Sequence, residues 1–239
     1  VPSSPVPATH SESAHEQWIR DAVAGRWPAA RAASVRILKG DASNRRFWRV
    51  LVAAAEQDTG ASSRTAPESA IAIDLGPDDF PLYVRALDLV SERQTEPPFL
   101  NVQRFLKSIG VAVPEIYVSD TKARMLLVED VGEMSLFEAA LGASEPAALY
   151  RSAIDELLLI QVKGTRRLDS RCIAGSIVYS EKLFRWEMNE ILDAGGLGVG
   201  RDIDTVALSA ELDELAARLG GIERVLSHRD YHGNNLFLQ

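Results

Sequence analysis

An α+β fold in two parts is what the sequence predicts: a β-rich N-terminal lobe and a helical, incomplete C-terminal lobe. Three observations predict it. Five strand-like runs precede Gly132, apolar residues at helical spacing follow it, and a polar cluster from His228 to Asn235 sits between two short apolar runs. The boundary is expected at 132–134, giving a flexible segment over 1–12, a first lobe over 13–132 and a second over 133–239.

Pro2-Ser-Ser-Pro-Val-Pro7 suits an extended lead, and because Val1 rather than Met precedes it, the start is expected to be processed or to belong to a longer chain. Ser13 and Glu16 are spaced as in a capping box. Trp18, Ile19, Ala22 and Val23 share one apolar face, and Gly25 is the expected stop of a helix over 13–25. His15 reads as a solvated residue of that helix. The runs 34–38 and 47–52 flank the polar turn 39–46 and predict a hairpin with a loop longer than two residues. Small and polar residues over 53–69 read as a loop, and Ala70-Ile-Ala-Ile-Asp74 as the next strand, closed by Gly76-Pro77. Helical spacing recurs over 80–93 and 99–109, with Gly110 as a stop. Strands over 115–118 and 124–129 follow, joined by a turn at 120–123. Beyond Gly132, helices are predicted over 135–141, 146–164, 181–194 and 209–219, the charges of the last forming a solvated face. The short apolar runs that lead into and out of the polar cluster, 224–227 and 235–238, read as strands.

With 239 residues, 46% apolar and 25% charged, the chain has the make-up of an ordinary globular protein with room for one large domain or two lobes. A net charge of −8 and a pI near 5.1 argue against a broad nucleic-acid or anionic-membrane surface, since those are bound through clustered Lys and Arg. A few arginines and a metal can still hold a nucleotide locally. The single cysteine, Cys172, excludes an intrachain disulfide and, beside Ile173, reads as a core residue. No apolar run approaches the ~20 residues of a membrane span, and the N-terminus lacks a signal-peptide core, so a cytoplasmic location is expected.

The polar cluster carries the chemistry. Asp230 and Asn235 are five apart, and two of the four histidines, His228 and His232, stand beside them. A carboxylate can orient a hydroxyl and take its proton, while an amide oxygen is a neutral acceptor suited to a hard cation. His-Arg-Asp followed by Asn is a signature of kinase catalytic loops. With a histidine two residues past the Asp, the segment resembles the aminoglycoside and choline phosphotransferase superfamily. Lys39-Gly-Asp-Ala-Ser43-Asn-Arg45-Arg46-Phe-Trp-Arg-Val50 and Leu126-Leu-Val-Glu129-Asp130-Val131-Gly132 narrow this further. They look like the nucleotide loop and hinge of the bacterial sugar kinases that phosphorylate the anomeric hydroxyl of N-acetylmuramate or N-acetylglucosamine. The resemblance runs from about Ser34 to the last residue.

It implies a protein-kinase-like two-lobed fold, ATP and Mg²⁺ as cofactors, an amino sugar as acceptor, and a nucleotide lodged between the lobes. Asp230 is then the base or hydroxyl-orienting group, His228 braces its loop through hydrogen bonds, Arg229 neutralises a nearby carboxylate or phosphate, and Asn235 is a magnesium ligand. Ser43, Arg45 and Arg46 would meet the phosphates together with backbone N–H groups of 39–46; a solvated turn in which Asp41 and Arg45 balance charge is the alternative. Glu129 and Val131 would offer backbone groups to adenine, with Gly132 permitting the bend. Glu187 and His232 are candidate contacts to the sugar, the alternatives being an exposed helix position and a structural histidine. Three features depart from the superfamily. The 39–46 loop has only Gly40 in place of a glycine-rich motif, the strand 70–74 has no lysine, and no Asp follows Asn235 as a second metal ligand. Arg45 and Arg46 are expected to substitute for the lysine, and the chain is expected to be an inactive or nearly inactive fragment of an active parent. Aminoglycoside, choline or homoserine acceptors, and a non-catalytic nucleotide-binding module, stay open at this point.

Overall fold

The computed structural model describes residues 10–39, 44–54, 66–78, 80, 84, 87, 96–193 and 204–238. They belong to two compact units, one within Val1–Asp79, Pro114–Glu133 and Phe237–Gln239, the other within Phe80–Val113 and Met134–Leu236. Mixed helix and antiparallel sheet make this an α+β fold, as expected of a kinase-like chain.

In the first unit, β1 (Ala30–Ile37), β2 (Arg46–Ala54), β3 (Ser69–Asp74), β4 (Ile116–Asp120) and β5 (Met125–Glu129) form one sheet of order β1-β2-β3-β5-β4. Every neighbouring pair is antiparallel. One sheet face carries Ala30, Ala32, Trp48, Val50, Ala70, Ala72, Met125 and Leu127, all buried against α1 (His10–Arg26). The four alanines let the helix approach closely, and Ile19, Val23 and Trp27, one turn apart, fill the space above them. The Asp120 carboxylate closes the β4–β5 turn by accepting from the amides of Lys122 (3.0 Å) and Ala123 (2.9 Å).

Helix α1 differs from its expected form. It begins at His10, so Ser13 lies inside it rather than at its cap, and it runs past Gly25 to Arg26. His15 is not solvated. It stands one turn before Ile19 on the face that meets the sheet, and its ring stacks on Trp48 with centroids 5.2 Å apart.

The second unit contains α2 (Pro98–Ile109), α3 (Leu136–Gly142), α4 (Pro146–Leu158), α5 (Thr165–Arg167), α6 (Glu181–Asp193) and α7 (Thr205–Gly220). Ser135 and Glu138 form a capping box on α3, and Asp204 caps α7 by accepting from Val206 and Ala207 amides. The helix expected to stop at Gly164 instead passes through a π turn, Leu159–Gly164, and continues to Arg167. Ile109, Val111 and Ile160 form a core that Leu226 and Tyr231 join. Cys172 is buried, and burial raises its thiol pKa, as suits a core residue. The helix expected over 80–93 lies almost wholly outside the described residues. The run 224–227 is not a strand: the Leu226 amide donates to Thr165 Oγ1 (2.7 Å), so a helix side chain takes the bond a ladder would have used. At 235–238 only a single bridge position, Phe237, is formed.

Candidate functional site

The loop bearing Asp230 is tied down on both sides within the second unit. On its N-terminal side, Thr165 and the π turn hold Leu226, and the closeness is possible because residue 164 is glycine. A Cβ there would lie 2.8 Å from Leu226 Cδ2. The Tyr231 hydroxyl donates to Ala153 O of α4 (2.5 Å), and the His228 ring packs edge-on against Tyr231 at 5.3 Å. On the C-terminal side, the Leu136 amide of α3 donates to Leu236 O (2.7 Å), while Gly233 lies so close to Phe137 that a Cβ would stand 3.1 Å from it.

Between these anchors, Asp230, His232 and Asn235 converge. Asn235 Nδ2 donates to Asp230 Oδ2 (2.7 Å) and to Asp230 backbone O (3.1 Å). His232 Nδ1 accepts from the Asn234 amide (3.3 Å), and its Nε2 lies 3.2 Å from both Asp230 Oδ1 and Asn235 Nδ2. Asn235 thus orients one carboxylate oxygen, and the His232 ring stands beside the other. The Asp230 side chain is nonetheless 71% exposed, so an incoming hydroxyl can reach it. His232 stands against both Asp230 and Asn235, a placement its spacing alone does not reveal.

Arg229 faces the other way. Its backbone takes φ 72°, a left-handed conformation unusual for a residue with a Cβ, and its guanidinium lies 4.7 Å over the Tyr179 ring. Nη2 donates to Glu187 Oε1 (2.9 Å), which also accepts from the Tyr179 hydroxyl (2.8 Å). Glu187, on α6, therefore acts on the loop through Arg229. Desolvation, then the bond and charge of Glu187, push the Tyr179 hydroxyl far above the usual phenol range, so it stays a donor. Desolvation lowers His228 below the ordinary imidazole value, outweighing the pull of the Asp230 carboxylate.

The remaining candidates stand in the first unit. Arg46 opens β2 and binds Asp74 through Nη2 (2.8 Å) and Nε (3.2 Å). Arg45 precedes it at an exposed position, and Ser43, with the rest of 40–43, lies outside the described residues. Glu129 ends β5, exchanging backbone and side-chain bonds with Glu115. Val131 sits in a turn where the Asp130 carboxylate accepts from the Gly132 amide (3.0 Å) and Gly132 takes φ 91°. Arg49, which the sequence reading passed over, grips this turn. Its Nη2 donates to Asp130 Oδ1 (3.1 Å) and Gly132 O (3.2 Å), and Nη1 pairs with Glu133.

The donors of the Asp230 loop fit a magnesium ion. No cluster of three or more His, Cys, Asp or Glu suited to a metal occurs among the described residues. Mg²⁺ asks for less, usually one or two oxygen ligands with water and phosphate supplying the rest. With Nδ2 spent on Asp230, the Asn235 atom with ligand capacity is Oδ1, a hard neutral oxygen.

Sequence comparison gives two matches. The model of the APH phosphotransferase enzyme family matches residues 34–239. A protein of Pseudomonas aeruginosa described as N-acetylmuramate/N-acetylglucosamine kinase is 31% identical over 147 residues, which is 59% of this chain and 40% of that relative's length. Among the described residues no helix is long and apolar enough to cross a membrane.

Proposed function

Because the chain belongs to the phosphotransferase enzyme family, we propose that it serves ATP- and Mg²⁺-dependent phosphoryl transfer to the anomeric hydroxyl of N-acetylmuramate or N-acetylglucosamine. The observation that carries this reading is the Asp230–Asn235 pair: a solvent-reachable carboxylate bonded to an amide whose oxygen remains for a cation. Asp230 orients the sugar hydroxyl and receives its proton, and His232 and Asn235 keep the carboxylate aimed. Asn235 Oδ1 would hold the magnesium ion, which when bound neutralises charge on the nucleotide phosphates. Glu187 and Tyr179 hold Arg229, and through it the backbone on which Asp230 stands. Arg45, Arg46 and Ser43 meet the phosphates, and the backbone at Glu129 and Val131 meets adenine. The kinase named among the relatives supports the amino-sugar acceptor. ATP is a cytoplasmic reactant, so the cytoplasm is the compartment of this reading.

The test is transfer of labelled phosphate from ATP to a panel of N-acetylmuramate, N-acetylglucosamine, an aminoglycoside, choline and homoserine. Amino sugars are the expected acceptors, and labelling of choline or an aminoglycoside alone would reject that choice. Asp230→Asn is expected to lower kcat by roughly 10²–10⁴ with little change in the KM for ATP. A mutant as active as the parent would remove Asp230 from the mechanism.

A further inference from the structure

Strand β3 offers no lysine, but it does offer a buried carboxylate. Asp74 is the register partner of Arg46 across the β2–β3 ladder, and its side chain is only 12% exposed. Oδ2 accepts from Arg46 Nε (3.2 Å) and Nη2 (2.8 Å). His15 Nε2, reaching down from α1, lies 3.3 Å from the same oxygen and 3.4 Å from Arg46 Nη2. Trp48 supports both partners, with the His15 ring stacked on it and the Arg46 guanidinium 5.8 Å from the indole centroid.

The second oxygen works on the same loop from its other side. Asp74 Oδ1 accepts from the Gly76 amide (2.9 Å), and Gly76 takes φ 67° directly against Asn44, where a Cβ would stand 2.8 Å from the Asn44 carbonyl oxygen. One carboxylate thus holds the arginine that ends the 39–46 loop and the glycine against which Asn44 rests. Burying a carboxylate gains little net stability even when it is paired, so the value of the arrangement lies in orientation. Asp74 engages the Nε and Nη2 donors of the fork. The Arg46 side chain remains 41% exposed, and with Nη2 engaged by Asp74 and His15 its Nη1 has the N–H donors to meet a phosphoryl oxygen.

We propose that Asp74, braced by His15, is a positioning residue for nucleotide phosphates, fixing the Arg46 fork in one orientation at the foot of the 39–46 loop. Asp74 itself does not touch the nucleotide. The inference rests on the proposed ATP reading and deepens it, since it assigns the work of the missing strand lysine to a cross-strand pair.

The experiment is calorimetric titration of the full chain with MgATP and, separately, with adenosine, for the parent, Arg46→Ala, Asp74→Asn, the double variant and His15→Gln. Arg46→Ala and Asp74→Asn should each weaken MgATP by about tenfold, the effect of losing a charge-assisted hydrogen bond, and leave adenosine within about twofold. The double variant should bind MgATP no more weakly than Arg46→Ala alone. His15→Gln should cost MgATP roughly threefold at unchanged adenosine affinity. The inference is overturned if Asp74→Asn binds MgATP as the parent does, if it loses both ligands alike, or if the two single effects add. Should Asp74→Asn fail to fold by circular dichroism, His15→Gln decides, and an unaltered ratio of MgATP to adenosine affinity overturns the inference. A parent that binds adenosine but gains nothing from the phosphates would sink the ATP reading itself, a result distinct from any of these.

Discussion

Arg49 shows how much a single side chain can hold. From the middle of β2 it reaches the turn after β5, with Nε 2.8 Å from Asp130 Oδ2 and the Asp130 side chain only 4% exposed. Burial alone would raise the Asp130 carboxyl pKa. The bonds from Arg49, the Gly132 amide and Ser69 more than reverse it and hold the carboxyl below the ordinary carboxylate value. Removing the guanidinium while keeping the bulk, as in Arg49→Met, leaves a buried carboxylate without its counter-charge and is expected to cost about 3–5 kcal/mol. Urea unfolding checks this. Asp130→Asn in the Arg49→Met background should recover part of the loss, because the two residues share one interaction. A single Arg49→Met change within ~0.5 kcal/mol of the parent would mean that the pair is solvated. None of this is legible locally: Arg49 looks like any outward residue of a β-hairpin, and its partner lies 81 positions away. His15 differs from its expected solvated state for the same reason, since a capping pattern and polar neighbours describe a helix surface while Trp48 and Asp74 come from distant strands.

Between elements, the contact of α6 with α7 is set by glycine. A Cβ on Gly220 would lie 2.8 Å from the backbone nitrogen of Glu181 and 3.0 Å from its Cα, so relief requires moving one helix end and not merely a side chain. Gly220→Ala is therefore expected to destabilise by about 1–3 kcal/mol despite alanine's better helix propensity. For a chain of this size that lowers Tm by roughly 2–4 °C per kcal/mol, and a Tm equal to or above the parent's would refute the close approach. At this scale the sequence was most informative where local pattern decides structure. The β1–β2 hairpin, the 99–109 helix stopped by Gly110, and the helix over 135–141 each follow from alternation, periodicity or a stop signal within a few residues. The runs around the Asp230 loop read as strands because they are short and apolar. Leu226 instead packs on the core of Ile109, Val111 and Ile160 while Thr165 takes its amide, and Val225, Phe237 and Leu238 are exposed. The Asp230–Asn235 spacing was legible as a motif. The roles of His232 toward Asp230 and of Glu187 toward Arg229 needed the three-dimensional contacts.

At the scale of the whole molecule, the perturbed groups make acid act in two steps. Asp120, Asp130, Glu138 and Asp169 all have carboxyl pKa values below their ordinary ones, the first through the Ala123 amide and the Trp18 indole, the third through the Ser135 amide, and the last through Arg171. Each is ionised in the folded chain where the unfolded chain, at 3.8 for Asp and 4.5 for Glu, has begun to take up protons. Their contribution is complete above those values and is lost as pH falls through the lower folded ones. His228 acts earlier. Desolvation lowers it from 6.5, so the folded chain keeps a neutral ring while the unfolded chain binds the proton, and stability falls as pH drops through 6.5 toward the folded value. The midpoint of urea unfolding should therefore decline as pH falls through 6.5 toward the lower folded value of His228, and decline further as pH falls below the ordinary carboxylate values of 4.5 and 3.8. His228→Gln should abolish the first decline and leave the second, and in the parent the His228 ring should titrate by NMR below 6.5. A first decline that survives in His228→Gln would assign it to another group and reject the desolvated histidine as its source. A ring that titrates at or above 6.5 would do the same, because proton uptake would then stabilise the folded loop instead of opposing it.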